Sequence, residues 1–209
     1  MKTERIGILR MPSGNLQSVW NALYTSGLDP EFVDENSNFD DFTHMIIPGV
    51  GHFKAVMDHL NAKGLPPRII DFAASGRPTL GICVGMQLLG QSSDEGDVVT
   101  PGLGLVNGTV TRLPSEEQVL PHVGWTTVDF KRNHPVTEGI KQGRDYYFVH
   151  SYGMAAESDD PVIGMSSYGR DFISIVGQGN IVGFQFHPEK SQSNGLQLLT
   201  NFAYWDGKC

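Results

Sequence analysis

Cys83 sits in Gly81-Ile82-Cys83-Val84-Gly85, after the apolar run Thr79-Leu80-Gly81-Ile82 and before a stretch, 84–89, that reads as the start of a helix. A G-x-C-x-G turn between strand and helix is the pattern of a nucleophile elbow with sulfur as the nucleophile. Such a turn strains the nucleophile's backbone, and its glycines leave room for the neighbouring strand and helix. The helix N-terminus favours a thiolate. A buried structural cysteine fits the same local pattern. A cysteine nucleophile needs a base, and the base needs an orienting group. Of seven histidines, His187 fits best: it follows the strand-like run 181–186, Pro188 ends that run, and Glu189 lies two residues on. A short turn would let this carboxylate hold the imidazole while the other ring nitrogen faces Cys83. An exposed strand-end histidine beside a surface glutamate is the competing reading. Pro48-Gly49-Val50-Gly51 follows a buried-strand candidate, Met45-Ile46-Ile47. That places it at the carboxyl edge of a parallel sheet, where such folds carry their sites. Glycines there let a backbone N–H point at a developing oxyanion; an ordinary strand-to-helix turn has the same residues.

The elements that must position these groups are legible as alternating periods. Segment 5–9 reads as a first strand. Leu16, Val19, Trp20 and Leu23 recur at helical spacing, with Gly27 as a stop. A short second strand at 31–34, helices at 53–60 and around 69–73, and a strand at 79–82 follow. Strands alternating with helices at this spacing imply βαβ units and a parallel sheet. The second half changes character: 106–113, 123–130, 146–149, 162–166, 172–176 and 181–186 are strand-like and separated by Gly, Asn, Asp and Pro. These read as added, largely antiparallel strands, closed by a helix over 194–204. No repeat, linker or low-complexity tract interrupts the chain, so 1–209 is expected to form a single domain.

Composition narrows the partners. The 209 residues carry 15 basic and 23 acidic side chains, a net charge of −8, with no basic run. An acidic chain repels phosphate backbones, so nucleic acid is not expected as a partner. No apolar run reaches the ~18 residues that span a bilayer, and the N-terminal residues lack the pattern of a signal peptide. Two cysteines make no disulfide framework. The expectation is a cytoplasmic protein with neither a metal site nor a cofactor.

Taken in order, Pro48-Gly49-Val50-Gly51-His52-Phe53, Gly81-Ile82-Cys83-Val84-Gly85-Met86-Gln87, Pro121-His122-Val123-Gly124-Trp125, Tyr147-Phe148-Val149-His150-Ser151-Tyr152 and Gly183-Phe184-Gln185-Phe186-His187-Pro188-Glu189-Lys190-Ser191 resemble the segments of a class I glutamine amidotransferase. Within that family they are most similar to the glutaminase subunits of imidazole glycerol phosphate synthase, from histidine biosynthesis. The resemblance runs over about 5–204. It implies a flavodoxin-like α/β fold with a central, mostly parallel sheet flanked by helices.

It also implies a Cys83-His187-Glu189 triad that hydrolyses L-glutamine through a glutamyl thioester. Val50, Gly51 and Val84 would supply the oxyanion hole, and Gly49, Gln87, Ser151 and Tyr152 would hold the substrate. The ammonia would pass to a cyclase subunit, a (β/α)₈ barrel, in a heterodimer that forms imidazole glycerol phosphate and AICAR. Asn15, Trp125 and Lys190 match positions on the partner-facing side. Two segments depart from the family pattern: Arg10-Met11-Pro12-Ser13-Gly14-Asn15 keeps only the Gly-Asn end of D-Y-G-x-G-N, and Val119-Leu120-Pro121-His122-Val123-Gly124-Trp125-Thr126 lacks the usual lysine and asparagine. Both bear on the partner side. The alternatives are a paralogue serving another synthase, such as a surface-sugar amidotransferase, a cysteine peptidase-like hydrolase, or an inactive regulatory subunit.

Overall fold

The computed structural model describes residues 4–114 and 118–209. Alternation of strand and helix governs the first half: β1 (Ile6–Leu9), α1 (Leu16–Thr25), β2 (Glu31–Val33), β3 (His44–Gly49), α2 (Phe53–Ala62), α3 (Leu65–Ala74), β4 (Thr79–Cys83) and the short α4 (Val84–Leu88). Strands β1, β3 and β4 are buried along their whole length. That is why they read as continuous apolar runs, the mark of parallel strands covered on both faces. Helix α1 turns Val19, Ala22 and Leu23 inward, and α3 turns Leu65, Ile69 and Phe72 inward. Each fully buried Leu, Ile or Phe contributes roughly 1.5–3 kcal/mol relative to exposure.

The second half adds β5 (Ser92–Ser93), β6 (Thr100–Pro101), β7 (Thr109–Arg112), β8 (His122–Phe130), β9 (Arg144–His150), β10 (Tyr152–Ala155), β11 (Val162–Tyr168), β12 (Arg170–Gln178), β13 (Ile181–Phe184) and the closing α5 (Gln192–Tyr204). The main sheet has nine strands in the order β2-β1-β3-β4-β13-β12-β11-β8-β9. Pairing is parallel from β2 to β13 and antiparallel from β13 to β9.

Two features differ from the sequence expectation. Strand β13, grouped with the antiparallel additions, instead pairs in parallel with β4 and antiparallel with β12. Its four residues are all buried, as a strand at the junction of the two halves must be. A second, four-stranded sheet, β10-β7-β5-β6, also forms. Strands β5 and β6 are two residues each, too short for alternation to register.

Candidate active site

Both halves deliver side chains to the carboxyl end of the parallel strands. Strand β4 ends at Cys83, and Gly49 of β3 is its ladder partner. The turn into α4 holds Cys83 at φ 55, ψ −113, a conformation that costs a non-glycine residue ~1–3 kcal/mol. Close packing enforces it. A Cβ on Gly85 would lie 1.7 Å from the Ile47 carbonyl oxygen, and one on Gly81 would lie 2.5 Å from the Gly85 oxygen. The glycines of the elbow therefore let α4 press against β3 and β4, and the pressure fixes the bend. The sulfur is buried, with Val149 O at 3.8 Å and Gln185 Nε2 at 3.9 Å.

His187 arrives from the end of β13. Its N–H donates to Tyr147 O (2.9 Å), and its own carbonyl accepts from Ser191 Oγ (2.6 Å). Pro188 opens a 3₁₀ turn over Pro188–Lys190, where its missing N–H is no loss. The turn carries Glu189 back until Oε1 stands 2.8 Å from His187 Nδ1. Helix α5 packs hard on this turn, since a Cβ on Gly195 would lie 1.9 Å from Pro188 O. With Nδ1 committed to Glu189, Nε2 is the nitrogen that faces Cys83. Both side chains of the His187–Glu189 pair are buried. Burial opposes the charged ring, but hydrogen bonds and charge from Cys83 and Glu189 overcome it and raise His187 to about 10. The two neighbours thus favour the charged form of the ring beside the sulfur.

A cavity of about 250 Å³ opens over Cys83. Small-molecule sites usually measure ~300–1,000 Å³, so this one suits a compact polar molecule better than a length of peptide. Of the residues singled out in sequence, Val50, Gly51, Cys83, Val84, Gln87, Ser151, Tyr152, His187 and Lys190 line it. Gly49 does not line it: β3 runs on through this residue, which is locked in the ladder against Cys83. Glu189 stands behind His187. Val50 directs its carbonyl to Ser13 Oγ at 2.6 Å, tying the Pro48–Gly51 segment to the turn before Asn15 and α1.

Trp125 is 48% exposed, which excludes a core role. Its ring lies 5.8 Å from Tyr147, and Lys190 Nζ lies 5.7 Å above that same Tyr147 ring. The three rest against one another, and of them Lys190 lines the cavity while Trp125 borders a separate hollow with Arg144, Asp145 and Ser191. Sequence reasoning missed Glu95 and His150, which also line it. Glu95 Oε2 accepts from the N–H of Phe53, the first residue of α2, at 2.7 Å. No local motif marks Glu95, a single acid in an acidic turn. Gln87 spends its amide protons on Tyr152 O (2.9 Å) and Gln185 Oε1 (3.1 Å), so it offers a ligand only an acceptor. Among the described residues no group of three or more His, Cys, Asp and Glu gathers as a metal site.

The family model described as "Glutamine amidotransferase class-I" matches residues 12–205. The chain belongs to the class I glutamine amidotransferases. It is 42% identical to the imidazole glycerol phosphate synthase subunit HisH of Symbiobacterium thermophilum, over 95% of this chain and 93% of that one. It is 43% identical to the same subunit of Moorella thermoacetica, with the same two shares of chain. The departures at 10–15 and 119–126 therefore lie within a family relationship that spans nearly the whole chain. A chain in the structure of PurLQS from Thermotoga maritima superposes with a TM-score of 0.75, covering 96% of this chain and 97% of that one at 21% identity. At that identity the likeness speaks for the fold, mixed sheet and flanking helices together. No helix among the described residues is long and apolar enough to cross a membrane.

Proposed function

We propose that this glutamine amidotransferase works through Cys83, His187 and Glu189 as the glutamine-hydrolysing subunit of an imidazole glycerol phosphate synthase in histidine biosynthesis. The observation that carries the reading is one cavity in which a buried sulfur, an imidazole hydrogen-bonded to a buried carboxylate, and the strained elbow meet. Cys83 Sγ attacks the side-chain amide carbon of L-glutamine. Backbone N–H groups at Val50 or Gly51 and at Val84 receive the oxyanion; one such donor is typically worth ~10²–10³ in rate. His187 passes its proton to the amide nitrogen, the C–N bond breaks and ammonia leaves. Water, deprotonated by His187, then cleaves the glutamyl thioester, releasing glutamate and restoring the imidazolium. Glu189 orients the ring and balances its charge. Glu95 and the Gln87 carbonyl, both acceptors, suit the α-ammonium of the substrate.

The relatives are named as subunits of a synthase, which supports a partner chain as acceptor of the ammonia. We read Trp125, Tyr147 and Lys190 as the face that meets it, Asn15 as a further contact, and a (β/α)₈-barrel cyclase as the partner of a cytoplasmic heterodimer. The whole of 1–209 serves as one glutaminase domain. Cys83→Ala in the complex should abolish synthase activity driven by glutamine and leave that driven by added ammonium salt. Glutamine-driven turnover that survives this substitution would remove Cys83 from the mechanism.

A further inference from the structure

Two buried histidines, His122 and His150, have no part in the chemistry above. They are opposite one another in the β8–β9 ladder. Their four ring nitrogens form one continuous chain. Nε2 of His122 meets Thr126 Oγ1 at 2.8 Å, Nδ1 of His122 meets Nε2 of His150 at 3.0 Å, and Nδ1 of His150 meets the Tyr152 carbonyl at 2.9 Å.

The proton positions follow by elimination. A carbonyl only accepts, so His150 Nδ1 donates. Burial pushes His150 down to about 4; its bond to Tyr152 resists, and the His122 and His187 charges add to the fall. Burial also lowers His122, whose ring lies between Tyr168 and Phe148 at centroid distances of 4.1 and 5.2 Å. Both rings are therefore neutral at neutral pH. His150 Nε2 must then accept, His122 Nδ1 must donate, and the Thr126 hydroxyl must donate to His122 Nε2. Both rings carry their proton on Nδ1.

The chain ends on a wall of the active-site cavity. The Tyr152 carbonyl takes a second hydrogen bond from Gln87 Nε2, so both of its acceptor positions are filled. That bond fixes the orientation of the Gln87 amide, whose other proton goes to Gln185, which in turn touches the Cys83 sulfur. At the other end, Thr126 is the residue after Trp125 on β8.

We propose that the His122–His150 pair is a positioning device for the glutaminase reaction, setting the Ser151–Tyr152 wall and the Gln87 acceptor at the depth glutamine requires and tying both to the strand that presents Trp125. The proposal rests on the reading of this cavity as the glutamine site. Neither ring touches the reacting atoms, so the effect falls on recognition.

Three substitutions at His150, each in the complex with the synthase partner, separate positioning from bulk packing. His150→Leu removes the donor to Tyr152. His150→Gln keeps a partner for His122 but moves its amide off the Nδ1 position. His150→Asn places an N–H where Nδ1–H stood. Losing one buried hydrogen bond is about a tenfold effect, so the Leu and Gln variants should raise the KM for glutamine roughly tenfold, with kcat changed less than about threefold. The Asn variant should stay within about threefold of the parent KM. An Asn variant as impaired as Leu, or a loss confined to kcat, overturns the proposal.

Should these variants fail to fold, Thr126→Val, at the half-buried end of the chain, should still raise KM two- to threefold on the same reasoning; an unchanged KM overturns it. In ¹⁵N-histidine spectra of the unsubstituted chain both rings must show the Nδ1–H tautomer, and an Nε2–H form at either one also overturns it. Labelling distinguishes this failure from failure of the glutamine-site reading. His150→Leu should slow modification of Cys83 by a glutamine-mimicking diazoketone but not by iodoacetamide; equal slowing overturns the proposal. If the diazoketone has no advantage over iodoacetamide at Cys83 of the parent chain, the glutamine-site reading fails instead.

Discussion

The two halves of the main sheet position their functional groups by different means. In the parallel half, β2-β1-β3-β4-β13, the nucleophile is held by backbone: glycines at 49, 81 and 85 bring β3, β4 and α4 together so closely that Cys83 is forced to positive φ. In the antiparallel half, side-chain hydrogen bonds hold the walls: the His122–His150 pair fixes Tyr152, and Ser191 links the His187 carbonyl to the Tyr147 N–H. Backbone packing has no graded failure, because a methyl group at contact distance must move a strand. Hydrogen bonds can be removed one at a time. Substitutions in the first region should therefore destroy structure and activity together, and those in the second should tune activity while the fold survives.

The sharpest contrast is Gly85→Ala. Its Cβ would meet the Ile47 backbone at 1.7 Å, and we expect a loss above ~4 kcal/mol, the range reserved for severe core defects. Thermal unfolding should show a fall of roughly 10 °C or more for a domain of this size, with glutaminase activity gone. Retention of both would mean that the elbow is not held by packing.

Glu189→Gln lies next. It leaves packing intact but removes the charge behind His187, and a comparable change in a Ser-His-Asp triad lowers turnover by ~10⁴. We expect a loss of 10²–10⁴ in kcat, on the same basis, with little change in melting temperature. The substitution also sharpens the pH comparison. His187 is raised above its ordinary 6.5, so its contribution to stability is complete below 6.5 and is lost as pH climbs through about 10. His134 and His150, pushed down to about 4 chiefly by burial, act in the opposite sense: their neutral burial costs nothing above 6.5 and destabilises the fold as pH falls from 6.5 towards 4. Urea midpoints against pH should show the parent losing its advantage over Glu189→Gln on the alkaline side.

Gly195→Ala tests the region where the two mechanisms meet. Its Cβ would reach Pro188 O at 1.9 Å, so α5 must retreat from the His-Pro-Glu turn. Because the clash is again with backbone, we expect at least a tenfold fall in kcat/KM, equivalent to ~1.4 kcal/mol or more, together with a clear loss of melting temperature. The smallest effect on the chain itself is expected at Trp125→Ala. Exposed substitutions usually stay within ~0.5 kcal/mol, so the isolated chain should melt as before. Association with the synthase partner, measured by calorimetry, should weaken by ~2 kcal/mol or more, as at other buried aromatic anchors. Unchanged association would move the interface elsewhere.

This same division explains what the sequence could disclose. Gly81–Gly85, His187–Glu189 and Pro48–Gly51 are local: each needs a particular residue within a few positions of another, and the chain order records it. Cross-strand relations leave no such trace. His122 and His150 meet because β8 and β9 pair in one register, and periodicity cannot select that register. Glu95 lacks any flanking pattern. Gly49 belongs to a recognisable segment, yet its pairing with Cys83, which keeps it out of the cavity, depends on the β3–β4 register. Strand β13 reads as one more apolar strand of the second half, and its parallel partner becomes evident only when β4 lies beside it.

The charge state of His187 is the central quantity, and nuclear magnetic resonance of the chain with ¹³C-labelled histidine measures it ring by ring. The resonance missing from His187→Gln identifies the ring. It should titrate near 10, and its midpoint should drop in both Cys83→Ala and Glu189→Gln. A midpoint near the ordinary 6.5 that neither substitution moves would contradict the charged imidazole proposed between Cys83 and Glu189.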